Sequence, residues 1–367
     1  MPTAMFSSQP APRDAPTLYD TPTPHDANGP IRLWLLAVAL LIAATAIVGA
    51  ATRLTGSGLS ITEWEPILGI LPPLGEDQWL AAFEKYKAIP QYTQLNKGMS
   101  LAAFKGIYWW EWSHRLLARS IGLLVLLPML VFWARGRIPR GLAHRLAALL
   151  VLGDLQGAIG WYMVKSGLAD RVDVSPYRLA LHLGLAVAIF GATLWTLFGL
   201  LPDQERRHLA TITRRQRHVA VALAALVYLQ VLLGALVAGL KAGRTFNTWP
   251  LMDGSLVPDG LGQMAPAWRN VFENPALVQF DHRLLAYALL GLALAHAVAL
   301  NRSADDERVR FSSGLLAALM LGQSALGVWT LLAWVPIHLG IAHQAGALLV
   351  FTAALWHLFA IRRASKP

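Results

Sequence analysis

The chain has 367 residues, 55% of them hydrophobic and 14% charged, with no cysteine and a formal net charge of +10. Soluble domains carry roughly a quarter charged residues; here the apolar excess is gathered into long blocks, which excludes an ordinary soluble fold. The missing cysteine rules out disulfides, thiolate metal sites and cysteine nucleophiles, and the charge, confined to particular loops, points to topology and not to a nucleic-acid partner.

Residues 1–30 are rich in Pro, Ala, Thr and Asp and lack the basic start and apolar core of a signal peptide, so they predict a disordered cytoplasmic tail. A span needs ~20 mostly apolar residues to cross ~30 Å of hydrocarbon. The first stretch that meets this is 31–51. A long loop, 52–107, follows, with TRLTGSGLSITEWEPILGILPP and then the amphipathic QWLAAFEKYKAIPQY. Its Gly and Pro content predicts a packed cap, and Leu80, Phe83 and Tyr86 recur at helical spacing as a roof over a pocket or a membrane-surface face. Further spans are expected at 108–133, 142–164, 177–201 and 216–240. A second cap around KAGRTFNTWPLMDGSLVP precedes spans at 276–300, 311–334 and 337–361, and 362–367 form a short cytoplasmic tail. The fold class is therefore an all-α integral membrane protein of eight transmembrane helices.

Basic residues gather after every second span: Arg135, Arg137 and Arg140; Arg206, Arg207, Arg214, Arg215 and Arg217; Arg302, Arg308 and Arg310; Arg362, Arg363 and Lys366. All four clusters fall on one side, which the positive-inside rule makes cytoplasmic, with both termini inside. The bacterial cytoplasmic (inner) membrane is the expected location.

An internal repeat divides the chain. WEWSHRLLAR and VQFDHRLLAY share His-Arg-Leu-Leu-Ala in one register, setting His114 against His282. Before them, Gly49, Gly58, Trp64, Gly69 and Pro73 align at one constant offset with Gly234, Gly243, Trp249, Gly254 and Pro258. After them, LQGAIGW around Gln156 resembles GQSALGVW around Gln323, and His182 aligns with His343. Four matched segments in order predict a duplicated four-span unit, with halves at 31–205 and 206–361 related by an axis along the membrane normal.

His114, His182, His282 and His343 each fall about five or six residues into a span that starts on the outer side, roughly 9 Å deep at 1.5 Å per residue. Two imidazoles from helices entering on the same side can bind the two faces of one haem. A single membrane histidine is more often a packed, hydrogen-bonded residue, but a pair repeated at matched depth favours ligation. His338 is the competitor of His343; His144, His208, His218, His296 and His357 lie towards the basic side and read as interfacial. Arg115 and Arg283, following the paired histidines, suit a haem propionate or snorkel to the interface, an ambiguity that Arg53 shares. Glu111 lies three residues before His114, on the same helix face, where Gln279 stands before His282. A carboxylate there can accept a proton, stabilise positive charge or simply orient its neighbours. The asymmetry places chemistry in the first half and a resident electron-transfer haem in the second. Trp64 and Trp249 read as aromatic-belt anchors. Asp154, in mid-span, is expected to be protonated or bonded to Gln156 or a neighbouring helix.

Together, TRLTGSGLSITEWEPILGILPP, EWSHRLLAR, LQGAIGWYMVKSGL and FDHRLLAY resemble the haem A synthase (CtaA/Cox15) family over about 31–361. The resemblance implies two pseudosymmetric four-helix bundles and oxidation of the methyl group of haem O to the formyl group of haem A for cytochrome oxidase assembly. It implies that Glu111, His114 and His182 form the substrate-haem site, with His114 and His182 on the substrate iron and His282 and His343 as ligands of a haem b. Its implied partners are haem O as substrate, an unidentified electron-transfer partner and the lipid bilayer, with haem O synthase and a second copy of the chain as candidate contacts. Some members carry a cysteine pair in the first outer loop; its absence makes thiol chemistry dispensable here. The competing readings are a membrane di-haem b electron carrier without turnover, and a haem transporter or chaperone.

Overall fold

Helix boundaries follow local chemistry. The computed structural model describes residues 28–65, 68–139, 141–170, 172–202 and 212–364. Its helices are α1 (Gly29–Leu54), α2 (Glu76–Lys87), α3 (Pro90–Gln94), α4 (Leu101–Ala134), α5 (Ala143–Asp170), α6 (Pro176–Gly199), α7 (Arg214–Gly239), α8 (Asn270–Glu273), α9 (Pro275–Ser303), α10 (Glu307–Leu332) and α11 (Ile337–Ala364). Proline, which needs no amide partner in the first turn, opens α6 and α9. Asn274 and Asp306 cap α9 and α10 by accepting amides of the first turn, and Thr213 with Gln216 forms a capping box on α7.

Eight of these helices (α1, α4, α5, α6, α7, α9, α10 and α11) are long and apolar enough to span a membrane, matching the expected eight-span all-α fold. No strand occurs among the described residues. The tail residues 1–27 and 365–367, Arg140, His208, and the boundary at 205/206 with Arg206 and Arg207 lie outside the described residues. α1 packs on α4, α6 and α11; α6 packs on α7; α7 packs on α9 and α11; and α10 packs on α9 and α11. One apolar core therefore runs through α1, α6, α7 and α11, including Leu35, Val187, Leu223 and Ile361. Polar side chains pin it: Trp34 Nε1 donates to Leu124 O at 2.6 Å and Tyr228 Oη to Gly184 O at 3.0 Å. α4 packs closely on α1 but only slightly on α5, whereas α9 packs closely on both its neighbours.

α4 begins two turns before the expected span because Ser100 caps it, its Oγ accepting from Ala103 N at 3.2 Å. Those turns carry Phe104 and Tyr108 into a second core with Leu59, Trp79, Phe83, Tyr86 and Ile89. The α2 face that packs is thus Trp79, Phe83 and Tyr86; Leu80, expected on it, is exposed. Asn96 donates to the Tyr86 hydroxyl, which donates to Gln91 Oε1 at 3.0 Å, and Gln91 Nε2 donates to Gly56 O and Val172 O. Burial pushes the Tyr86 phenol above its ordinary value, so it remains a neutral donor. The result is a built cap at one end of the helices, called the loop end below.

Candidate functional site

The four matched histidines share one environment. A Cβ added to Gly49 of α1 would lie 2.9 Å from His114 Nε2 of α4; one on Gly160 of α5, 2.9 Å from His182 Cε1 of α6. In the other half, a Cβ on Gly234 of α7 would lie 3.2 Å from His282 Cε1 of α9, and one on Gly327 of α10, 2.9 Å from His343 Cε1 of α11. Each ring thus occupies space that any larger residue on the preceding span would fill. Within each pair the imidazoles are near enough for a charge on one to act on the other, His114 with His182 and His282 with His343. His338, the competitor of His343, is exposed at the loop end.

Glutamines position three of the four. Gln156 Nε2 lies 3.0 Å from His182 Nδ1 and donates to His182 O at 3.0 Å; Gln230 and Gln323 do the same for His282 and His343. Of these glutamines the sequence reading used Gln156 and Gln323 as repeat landmarks and did not single out Gln230; it gave none of them, nor the glycines four residues after them, a place in the site. The signal was the Gln-x-x-x-Gly spacing itself, which puts both on one helix face.

The arginines also bind the caps. Arg115 donates to Ile61 O at 2.7 Å and Glu63 O at 2.8 Å; Arg283 donates to Phe246 O at 2.8 Å and Thr248 O at 2.9 Å. Those carbonyls occupy matching positions of the repeat, so each guanidinium clamps a cap to its helix. Arg283 Nε remains buried and unbonded, a donor still open to a carboxylate, whereas Arg115 Nε is taken by Glu111. Glu111 is 2% exposed: Oε2 accepts from Ser60 Oγ at 2.8 Å and Ile61 N at 2.7 Å, and Oε1 pairs with Arg115 at 2.5 Å. Gln279 instead donates to Ala242 O and Phe246 O. Two cavities, of about 400 and 270 Å³, meet at Glu63 and Arg115; the second is walled by Trp161, Val164 and Lys165 of α5.

Two readings need correction. His296 and His357 are not interfacial: they are 5% and 0% exposed, their Nε2 atoms 3.0 Å apart, with Ser312 Oγ 2.9 Å from His357 Nδ1. They stand fourteen residues beyond His282 and His343 on the same helices. No glycine among the described residues adjoins either ring, and 3.0 Å falls short of the about 4 Å, two metal–nitrogen bonds of about 2 Å each, that separates nitrogens on opposite faces of a haem. Asp154 is exposed on α5 and is not bonded to Gln156, whose amide is engaged by His182.

The loop-end pairs fit a haem. No group of three or more metal-ligating side chains occurs among the described residues, but porphyrin iron needs only two axial ligands from protein; the glycines give each imidazole its room, and the open Arg283 donor suits a propionate. Gly327→Ala is expected to displace His343 and lower haem affinity about tenfold, read as haem bound per chain. Gly157→Ala, where nothing lies within 4 Å of the added carbon, should leave it unchanged.

Eight helices long and apolar enough to span a membrane, with four histidines in matching glycine-backed settings, define a polytopic membrane protein. The chain belongs to the cytochrome oxidase assembly protein family (COX15–CtaA), which it matches over residues 32–355. It is 53% identical over 334 residues to the haem A synthase of Chelativorans sp. (strain BNC1), covering 91% of each chain. It is 52% identical over 328 residues to that of Mesorhizobium japonicum, covering 89% of each. To that of Parvibaculum lavamentivorans it is 50% identical over 334 residues, covering 91% of this chain and 95% of the relative.

Proposed function

We propose that this chain is a haem A synthase that oxidises the methyl group of haem O to the formyl group of haem A. Family membership and identities of 50–53% over about nine-tenths of the chain support the synthase assignment. The observation that supports the chemistry is the recurrence, in both halves, of two histidines each set against a glycine of the preceding span.

In this reading the halves are pseudosymmetric bundles, 31–205 and 206–361. His282 and His343 hold a resident haem b, fixed by Gln230 and Gln323, with Arg283 Nε available for a propionate. When bound, that haem supplies one-electron transfer. His114 and His182 hold the substrate haem, and the loose α4–α5 contact gives the first half the freedom to admit it. Glu111 and Arg115 stand beside that site. All of Glu111's bonds go to the cap and to Arg115, so it acts on substrate by exchanging one of these partners, with the cap loosening as it does. The basic clusters support cytoplasmic termini in the bacterial inner membrane, with the loop end outside. Haem O synthase and a second copy of the chain are proposed contacts, and the electron partner is a separate redox protein.

The test is pigment extraction from membranes of a host that makes haem O. Haem A appearing only when this chain is expressed supports the synthase. Two equivalents of haem b and no haem A would replace it with the di-haem electron carrier.

A further inference from the structure

The four loop-end histidines differ in one contact. In α5, α7 and α10 a glutamine stands four residues before the receiving glycine: Gln156 before Gly160, Gln230 before Gly234, Gln323 before Gly327. Each amide nitrogen reaches the main-chain oxygen of its histidine and lies against the ring; Gln156 is also 3.4 Å from His182 Nε2, and Gln230 3.3 Å from His282 Nε2. Gln156 is 3.0 Å from His182 O and 3.0 Å from Nδ1; Gln230 is 2.9 and 3.1 Å from the same atoms of His282; Gln323 is 2.8 and 3.2 Å from those of His343. In α1 the equivalent place, four residues before Gly49, holds Thr45. Its hydroxyl turns back to Leu41 O at 2.7 Å within its own helix. No hydrogen bond to the His114 ring forms among the described residues.

The ring itself is turned. His182, His282 and His343 present the Cε1 and Nδ1 edge to their glycines. His114 presents Nε2 and Cδ2, at 2.9 and 3.2 Å from a Cβ on Gly49. The two presentations differ by a half-turn about the Cβ–Cγ bond. The glutamine oxygens Oε1 of Gln156, Gln230 and Gln323 are all buried and unbonded. As placed, each amide nitrogen is tied to its histidine's main-chain oxygen while it lies against the ring, so it holds the imidazole by contact.

We propose that Gln156, Gln230 and Gln323 are positioning residues that lock three axial ligands, and that His114 is left unlocked as the ligand that yields when substrate haem enters and product haem leaves. Outer partners of a ligating histidine fix its orientation and raise its basicity, and their loss typically weakens binding about 10–100-fold. A resident cofactor is served by two locked ligands, as at His282 and His343. A substrate that must depart is served by one fixed ligand, His182, and one free to rotate away. The inference rests on the reading that the first half takes the substrate.

The test uses the full-length protein in nanodiscs, loaded with ferric protoporphyrin IX to two equivalents, with haem loss followed into excess apomyoglobin and spin state read by absorption and electron paramagnetic resonance. Wild type is expected to lose haem in a fast phase from the first half and a slow phase from the second. Thr45→Gln should slow the fast phase about tenfold, raise its low-spin fraction and leave the slow phase alone. Gln156→Thr should speed the fast phase, and Gln230→Thr the slow one, each by about tenfold. A Thr45→Gln protein with an intact slow phase but a wild-type fast phase overturns the proposal, as does a Gln230→Thr protein with unchanged release. Should Thr45→Gln disrupt the fold, the slow phase is lost with it and the two glutamine variants decide. A wild type that binds a single equivalent leaves the substrate-site reading standing, since the first half is read as taking haem O, and Gln230→Thr alone then decides: unchanged release overturns the proposal.

Discussion

His282→Ala is expected to strip the resident haem from the protein, whereas His114→Ala leaves its spectrum in place. His282 is held by Gln230 and seated against Gly234, so its ring has one orientation and its loss leaves His343 as the sole protein ligand. Removing even an outer partner of a ligating histidine costs about 10–100-fold in affinity, so loss of the ligand should cost at least that. His343→Ala should behave alike, because Gln323 and Gly327 give it the same setting. His114→Ala should instead abolish conversion of haem O and leave the reduced-minus-oxidised spectrum of the second half unaltered. The measurement is the haem-to-protein ratio of each purified variant. Equal bleaching by the two alanine variants would count against a division of labour between the halves. His357→Ala gives a useful contrast: it breaks the buried chain to His296 and Ser312 and should lower thermal stability without selective haem loss.

What could be read from the sequence was whatever repeats. The spans came from hydropathy, and the His114, His182, His282 and His343 set came from register. What could not be read was direction. Arg115 and Arg283 look like free cations beside a haem, yet the cap carbonyls they bind are some fifty and thirty-five residues away in sequence, and only the folded loop brings them near. His296 and His357 look interfacial by their place in the span, but α9, α10 and α11 close around them. Leu80 gives way to Trp79, which lies one turn before Phe83 and packs with it and Tyr86 in the core that Phe104 and Tyr108 of α4 complete. The glutamines were visible as letters and invisible as contacts, because a bond to the histidine's own main-chain oxygen leaves no compositional trace.

Glu111→Gln should lower conversion by at least about a hundredfold while the haem of the second half keeps its spectrum. The expectation turns on how differently the two caps are fastened. In the second half Gln279 donates to the carbonyls of Ala242 and Phe246. In the first, Glu111 accepts, from Ser60 Oγ and Ile61 N, and carries the charge that balances Arg115. A second half whose cap is fastened by Arg283 and a neutral Gln279 shows that fastening alone does not call for a carboxylate, so the charge at Glu111 is available for the substrate, and a positioned acid or base contributes about 10²–10⁴-fold. Glu111→Ala is the less informative change. It leaves Arg115, 12% exposed in its side chain, without its buried partner, at about 3–5 kcal/mol. Part of that loss should return in the Glu111→Ala, Arg115→Ala double variant, since residues in one ion pair couple. Conversion and thermal midpoint measured on the same preparations separate the roles. If Glu111→Gln turns over within about twofold of wild type, a difference far below that expected of a proton-transferring group, while its midpoint falls, the carboxylate fastens the cap and does no chemistry on the substrate.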